Sequence, residues 1–112
     1  MSATRIEVAG HGKTRAVLST RLNSATHARV WIAEVYYETQ NAKAIRVVAI
    51  VGNDGDQPSF EMPQHVDGIC HCLWLGHSCV ELPAASWNTL KAWSGGVMQG
   101  ATSRARPQES RA

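Results

Sequence analysis

Residues 28–40 read ARVWIAEVYYETQ, and the fold depends on whether this segment forms a helix or a strand. Its apolar residues recur at helical spacing over 28–36, which is typical of an amphipathic helix. Its composition is instead rich in β-branched and aromatic residues, which strands favour. On a helix, Glu34 and Glu38 would lie one turn apart and repel each other. We therefore predict a strand, with the helix as the alternative.

The segments on both sides also have strand character. Alternation of apolar and charged residues in TRIEVAG (4–10) predicts a half-buried strand, followed by a Gly-rich turn. We predict a second strand in TRAVLSTRL (14–22), with a short helix as the alternative. AIRVVAIVG (44–52) is apolar on both faces, which predicts a central strand covered on both sides. The polar turn NDGDQP (53–58) precedes SFEMP (59–63), a short edge strand, and DGICHCLWL (67–75) is a further strand.

One helix is predicted near the C-terminus, in ELPAASWNTLKAWSGG (81–96). Pro83 suits the first helical turn, and Gly95 and Gly96 mark the end. Trp87 and Leu90 share a face, which we expect to pack on the strands at 45–51 and 69–75. The predicted fold is therefore α+β and mostly β: a curved antiparallel sheet of about five to seven strands with one helix packed on it.

The chain of 112 residues is expected to form one globular domain over 1–98, followed by a flexible basic tail at 99–112. No apolar run is long enough for a transmembrane helix or a signal peptide. These features predict a cytoplasmic protein with reduced thiols and no membrane partner.

Charge is distributed unevenly along the chain. Residues 1–52 carry seven Lys and Arg against three Glu, a net of +4, whereas residues 53–98 carry one Lys against five acidic side chains, a net of −4. Aromatic and basic residues alternate in the basic half, and strands with that pattern can stack single-stranded bases while cations contact phosphates. The predicted nucleic-acid-binding residues are Lys13, Arg15, Arg29, Trp31, Tyr37, Lys43 and Arg46. The alternative is that the aromatics belong to the core.

The stretch CHCLWLGHSC (70–79) raises the question of a metal site. Cys70, Cys72, His77 and Cys79 would supply a zinc ligand set if a hairpin turned at 73–76. The centre of such a flat hairpin lies roughly 4 Å from each Cβ, against the roughly 3.3 Å that a zinc–cysteine bond allows. We therefore expect a core strand whose cysteines pack as small apolar residues, and no cofactor, with zinc as the alternative.

The segment CVELPAASWNTLKAW (79–93) resembles the C-terminal strand-to-helix turn of PC4-type coactivators. Leu82, Trp87, Leu90 and Lys91 match the spacing of that family. The resemblance covers about 15 of the residues, and it implies a dimer that binds single-stranded nucleic acid on its sheet. It assigns no individual binding residue here.

We assemble no catalytic site from this sequence and expect a small non-enzymatic binding or regulatory protein. The first hypothesis is single-stranded nucleic-acid binding through the basic, aromatic half. The second is a protein-interaction module, inhibitor or accessory factor that uses its acidic half or an exposed sheet edge. A zinc-stabilised domain is the third, and a homodimer is compatible with each of them.

Overall fold

The computed structural model describes residues 4–41 and 43–105. The elements in chain order are β1 (Arg5–Ala9), β2 (Thr14–Leu22), β3 (Arg29–Glu38), β4 (Ala44–Val51), β5 (Ser59–Glu61), β6 (Gln64–His65), β7 (Gly68–Ile69), β8 (Cys72–Leu75), β9 (Ser78–Glu81) and α1 (Ala84–Ala105). The predicted class, α+β and mostly β with one C-terminal helix, is confirmed. The strands divide between a four-stranded sheet, a three-stranded sheet and a two-stranded ribbon.

The four-stranded sheet is an antiparallel meander in the order β1-β2-β3-β4. The strand prediction for residues 28–40 is confirmed, because β3 pairs with β2 on one side and with β4 on the other. Trp31 and Ala33 of β3 are buried on the inner face. Their partners Thr20 and Leu18 on β2 are buried as well. Alternation along β3 thus separates a core face from an outer face.

The three-stranded sheet has the order β5-β8-β9 and contains the cysteine-rich segment. The hairpin of β8 and β9 turns at Gly76, which has a φ of 63°. A side chain at this position would place its Cβ 3.3 Å from Oδ2 of Asp56. Leu73 and Leu75 face the core, while Cys72 points to the opposite face and is also buried. The burial of Cys72, Leu73 and Leu75 agrees with the expected role of this segment as a core strand. Ile69, on the separate strand β7, is exposed.

Helix α1 joins the two sheets through one shared core. The helix begins with a backbone hydrogen bond from Trp87 N–H to the Pro83 carbonyl, as the sequence predicted. The Trp87 ring lies edge-on to Phe60 and His71, and its Nε1–H donates to the Cys72 carbonyl at 2.9 Å. This hydrogen bond satisfies the polar end of a buried indole, which secures the helix to β8.

The predicted end of the helix at Gly95 and Gly96 is wrong, because α1 continues to Ala105. Two glycines inside a helix cost roughly 1 kcal/mol each relative to alanine. Burial of Val97 beyond them, and packing of Met98 against the core, offset that cost. The helix therefore crosses the predicted boundary between domain and tail, and residues 106–112 of that tail lie outside the described part of the chain.

The expectation that 44–52 is a central, covered strand is also wrong. β4 is an edge of the sheet, and all its residues are exposed except the half-buried Ile50. Helix α1 packs toward β1 at the opposite edge, where Ser86 donates a hydrogen bond to the Ala9 carbonyl. The helix packs on the 69–75 segment as expected, but it does not cover the strand at 45–51.

Replacing Leu90 by alanine should lower the free energy of unfolding by about 2–5 kcal/mol, because its side chain is 1% exposed in the shared core. Urea unfolding followed by circular dichroism measures this loss. The matched control is Thr89→Ala on the exposed side of the same helical turn, which should change stability by about 0.5 kcal/mol or less. Equal stability of the two variants would contradict the packing described.

Candidate functional site

The predicted nucleic-acid-binding residues do not form one surface. Trp31 is 1% exposed and lies edge-on to Trp93, with ring centroids 6.1 Å apart. A base cannot reach that ring, so its place in the predicted stacking set is corrected to a place in the core. Arg29 lies on the same inner face and donates from a guanidinium nitrogen to Thr20 Oγ1 at 3.2 Å. Burial of the inner face thus removes Trp31 from the predicted contacts, while Arg29 is half-buried and hydrogen-bonded to Thr20.

The other predicted residues lie at two places on the four-stranded sheet. Lys13, Tyr37 and Lys43 are exposed at one end, where the β1–β2 turn and the β3–β4 turn adjoin β3. Lys13 and Tyr37 also line a shallow cavity of about 310 Å³ at that end. Arg15 and Arg46 lie instead on the outer face. The antiparallel meander creates both groupings, which residue spacing alone does not reveal.

The outer face carries a row of three side chains across three strands. Tyr36 on β3 is flanked by Arg15 on β2 and by Arg46 on β4. An aromatic ring between two guanidinium groups is a possible stacking platform. The predicted set contains both arginines but Tyr37 in place of Tyr36, because residue spacing does not fix which tyrosine faces outward.

Carboxylates neutralise both arginines of this row. Arg15 pairs with Glu7 at 2.6 Å, and Arg46 pairs with Glu34 at 3.1 Å. The same Glu34 oxygen accepts a hydrogen bond from the Tyr36 hydroxyl at 3.0 Å. The Glu34 side chain is only 17% exposed, which limits its solvation by water. The outer face is therefore a mixed-charge surface rather than a cationic one.

The Glu34 carboxylate raises the pKa of Tyr36, because a hydrogen bond from the neutral phenol to an anion is lost when the phenol ionises. Burial of the ring adds to the rise in that pKa, and the neutral phenol therefore persists to higher pH than in a free tyrosine.

We predict that Glu34→Gln lowers the pKa of Tyr36 toward the ordinary value of tyrosine. Ultraviolet titration of the phenolate measures this pKa. The chain has two tyrosines, so a Tyr37→Phe background leaves only Tyr36 to titrate. The control is Glu7→Gln, which removes a carboxylate that pairs with Arg15 instead. An unchanged Tyr36 titration in Glu34→Gln would show that the hydrogen bond does not form.

Two of the cysteines, Cys72 and Cys79, lie on one face of the three-stranded sheet, and Cys70 lies between β7 and β8. Cys72 lies opposite Glu81, and Cys79 lies opposite Trp74, so these side chains share a face. The hairpin turns at Gly76 and His77, later than the 73–76 turn that the zinc alternative requires. His77 is therefore an exposed turn residue and does not pair with Cys72.

The environment of Cys70 and Cys72 favours the neutral form of their thiols. Burial raises the pKa of Cys72, and the neighbouring Cys79 and Glu81 raise it further. Burial also raises the pKa of Cys70, together with a hydrogen bond to Glu81. Zinc binds the thiolate, so these raised pKa values oppose metal binding by the apo protein. Among the side chains that the structure describes, no three His, Cys, Asp or Glu residues form a group that could hold a metal ion. The zinc alternative remains a prediction.

The free edge of β4 carries a concentration of exposed apolar side chains. Ile45, Val47 and Val51 are each more than half exposed, and Val48 is 37% exposed. Opposite Ile45 on β3 lies Tyr37, which is 44% exposed and extends this apolar strip. Unpaired backbone groups along such a strand are able to pair with another strand. The apolar pattern of 44–52 identified a strand, but the pattern alone does not tell a covered strand from an exposed edge.

A cleft of about 520 Å³ continues this edge. It lies between the C-terminal half of β4 and the turn of the β8–β9 hairpin. Its walls include the apolar residues Ala49, Val51 and Leu75 and the polar residues Asp56 and His77. The cleft can therefore receive an extended chain that pairs with β4.

Comparison with known proteins adds no assignment: no family model, curated protein or solved structure matches the chain. The resemblance of residues 79–93 to PC4-type coactivators therefore remains a prediction. In the described part of the chain, no helix is both long and apolar enough to cross a membrane.

Proposed function

We propose that this protein is a non-enzymatic protein-interaction module that binds an extended segment of its partner by strand addition at the edge of β4. The observation that carries this proposal is the eight-residue strand β4, which is exposed on both faces and carries a single charge, Arg46. Main chain hydrogen bonds along an edge give affinity in this mode, and side-chain pockets give specificity.

The other edges of the four-stranded and three-stranded sheets are protected by features that β4 lacks. On the opposite edge, β1 alternates charged Arg5 and Glu7 with apolar residues, and its last carbonyl, that of Ala9, accepts a hydrogen bond from Ser86 of α1. β5 and β9 have three and four residues, and they carry Glu61 and Glu81 respectively. Short length and charge are common devices against unwanted strand pairing. The contrast marks β4 as the edge available for binding.

We predict that Val47→Lys abolishes or strongly weakens binding of the partner, because a lysine on an edge strand opposes pairing with a further strand. The matched control is Val66→Lys, which makes the same change at a fully exposed loop position. Tagged wild-type, Val47→Lys and Val66→Lys chains are used to capture proteins, including an untagged copy of this chain, after nuclease treatment. Quantitative mass spectrometry then compares the proteins that each of the three chains captures.

Proteins retained by wild type and by Val66→Lys but lost with Val47→Lys support strand addition at β4. If no protein distinguishes Val47→Lys from Val66→Lys, the proposal fails. Thermal unfolding of both variants checks that the substitutions leave the fold intact, as expected for exposed side chains.

A second candidate function, single-stranded nucleic-acid binding, is supported by the row of Arg15, Tyr36 and Arg46 on the outer face. Arg5 lies close enough to influence the Tyr36 hydroxyl and adds a cation to this region. The carboxylates of Glu7 and Glu34 oppose phosphate binding at the same place. The mixed charge makes this candidate weaker than strand addition.

If the row binds nucleic acid, fluorescence anisotropy should detect binding of a labelled deoxythymidine oligonucleotide at low salt. Arg46→Ala should weaken that binding and reduce its salt dependence by about one phosphate contact. Lys91→Ala, which removes a cation from the exposed side of α1, is the control. Absence of binding at low salt would remove this candidate.

A further inference from the structure

We propose that the occupant of the β4 edge is a second copy of this chain, with the two β4 strands paired antiparallel about a two-fold axis. This inference rests on the proposed function, because it assigns a partner to the same edge. The paired sheets would form one continuous eight-stranded sheet, with both α1 helices on the same side. Such an interface is isologous, so every contact in it occurs twice.

The apolar side chains of β4 match each other in one register. In that register Ile45 of one copy lies opposite Ile50 of the other. Residues that lie opposite each other must point to the same face of the sheet. Ile45 and Ile50 are five positions apart, and on a regular strand residues an odd number of positions apart point to opposite faces. A bulge solves the problem, because Val47 is an extra residue in the pairing with β3. Ile45 and Ile50 consequently lie opposite Tyr37 and Ala33, on the same face of β3.

The charged side chain of β4 also fits this register. Arg46 would lie opposite Ala49 of the second copy, so no two arginines face each other across the two-fold axis. Both residues belong to the outer face, since Arg46 lies opposite Tyr36 and Ala49 lies opposite Glu34 on β3. The ion pair between Arg46 and Glu34 can persist in the dimer. The bulge thus aligns apolar with apolar and avoids like-charge contact.

The ends of the paired strands have complementary charge. In the same register, Lys43 of the second copy would lie opposite Gly52. Asp56 packs directly beside Gly52: a Cβ atom added to Gly52 would lie only 3.3 Å from the Cβ of Asp56. Lys43 is exposed and Asp56 lines the cleft that continues the β4 edge. The second copy would therefore fill this cleft with residues 43–46 and bring a cation to its carboxylate.

Sedimentation equilibrium of the full chain tests the dimer, and Ala49→Arg tests its register. Ala49→Arg would place two guanidinium groups opposite each other at two symmetric positions, so the dimer Kd should rise about tenfold. In the monomer the same guanidinium lies opposite Glu34, which favours the folded chain. Val66→Arg adds the same charge at an exposed loop position and should leave the Kd unchanged.

A charge exchange supplies the rescue. In Arg46→Glu/Ala49→Arg, each introduced carboxylate lies opposite an introduced guanidinium of the other copy. The dimer Kd should therefore return to within about threefold of the wild-type value. Weakening by Ala49→Arg with rescue by the double variant supports the assigned register, because a different pairing would not bring positions 46 and 49 together.

A wild-type chain that sediments as a monomer up to about 100 times the concentration used for partner capture would overturn this inference. The proposed function would still stand if Val47→Lys, but not Val66→Lys, then loses a different captured protein. A dimer that Ala49→Arg and Val66→Arg affect equally would also overturn the inference, because its interface would lie away from the β4 edge.

Discussion

Burial of the tryptophans of α1 between the two sheets is the interaction on which the rest of the structure depends. Trp87 contacts the three-stranded sheet through Phe60 and the Cys72 carbonyl, and Trp93 contacts Trp31 of the four-stranded sheet. A large apolar side chain contributes roughly 1.5–3 kcal/mol when fully buried. Neither sheet has a second layer of its own, so the helix provides the surface against which both are buried.

The position of α1 decides which surfaces remain for binding. Its Ser86 hydroxyl donates to the Ala9 carbonyl at the end of β1, so the helix packs toward one edge of the meander. β4 at the other edge is left uncovered, although its sequence is as apolar as that of a core strand. The same packing encloses Trp31 and leaves Tyr36 on the outer face. One asymmetric helix placement therefore accounts for both the exposed edge and the loss of an aromatic binding surface.

Charge pairing on the outer face points in the same direction. The basic excess of the N-terminal half suggested affinity for polyanions, but Arg15 and Arg46 each contact a glutamate in the folded chain. The pair of Arg15 and Glu7 is largely exposed, and such ion pairs contribute little to stability. Their effect here is to lower the positive potential around Tyr36. An interaction through an apolar edge does not depend on that potential, which is why the edge is the stronger candidate.

Local patterns in the sequence were sufficient for the strand at 4–10, for the turn at 53–58 and for the start of the helix after Pro83, whereas at 14–22 and 28–40 they favoured a strand but left a helix as the alternative. Alternation, turn residues and helix-start signals act over a few positions, so the sequence by itself determined these elements and the mostly-β class. Three features depended on tertiary structure: the passage of α1 through Gly95 and Gly96, the edge position of β4, and the outward-facing tyrosine. Each is set by contacts between residues far apart in the chain, and the intrinsic preference of a residue carries no information about which distant surface will cover it.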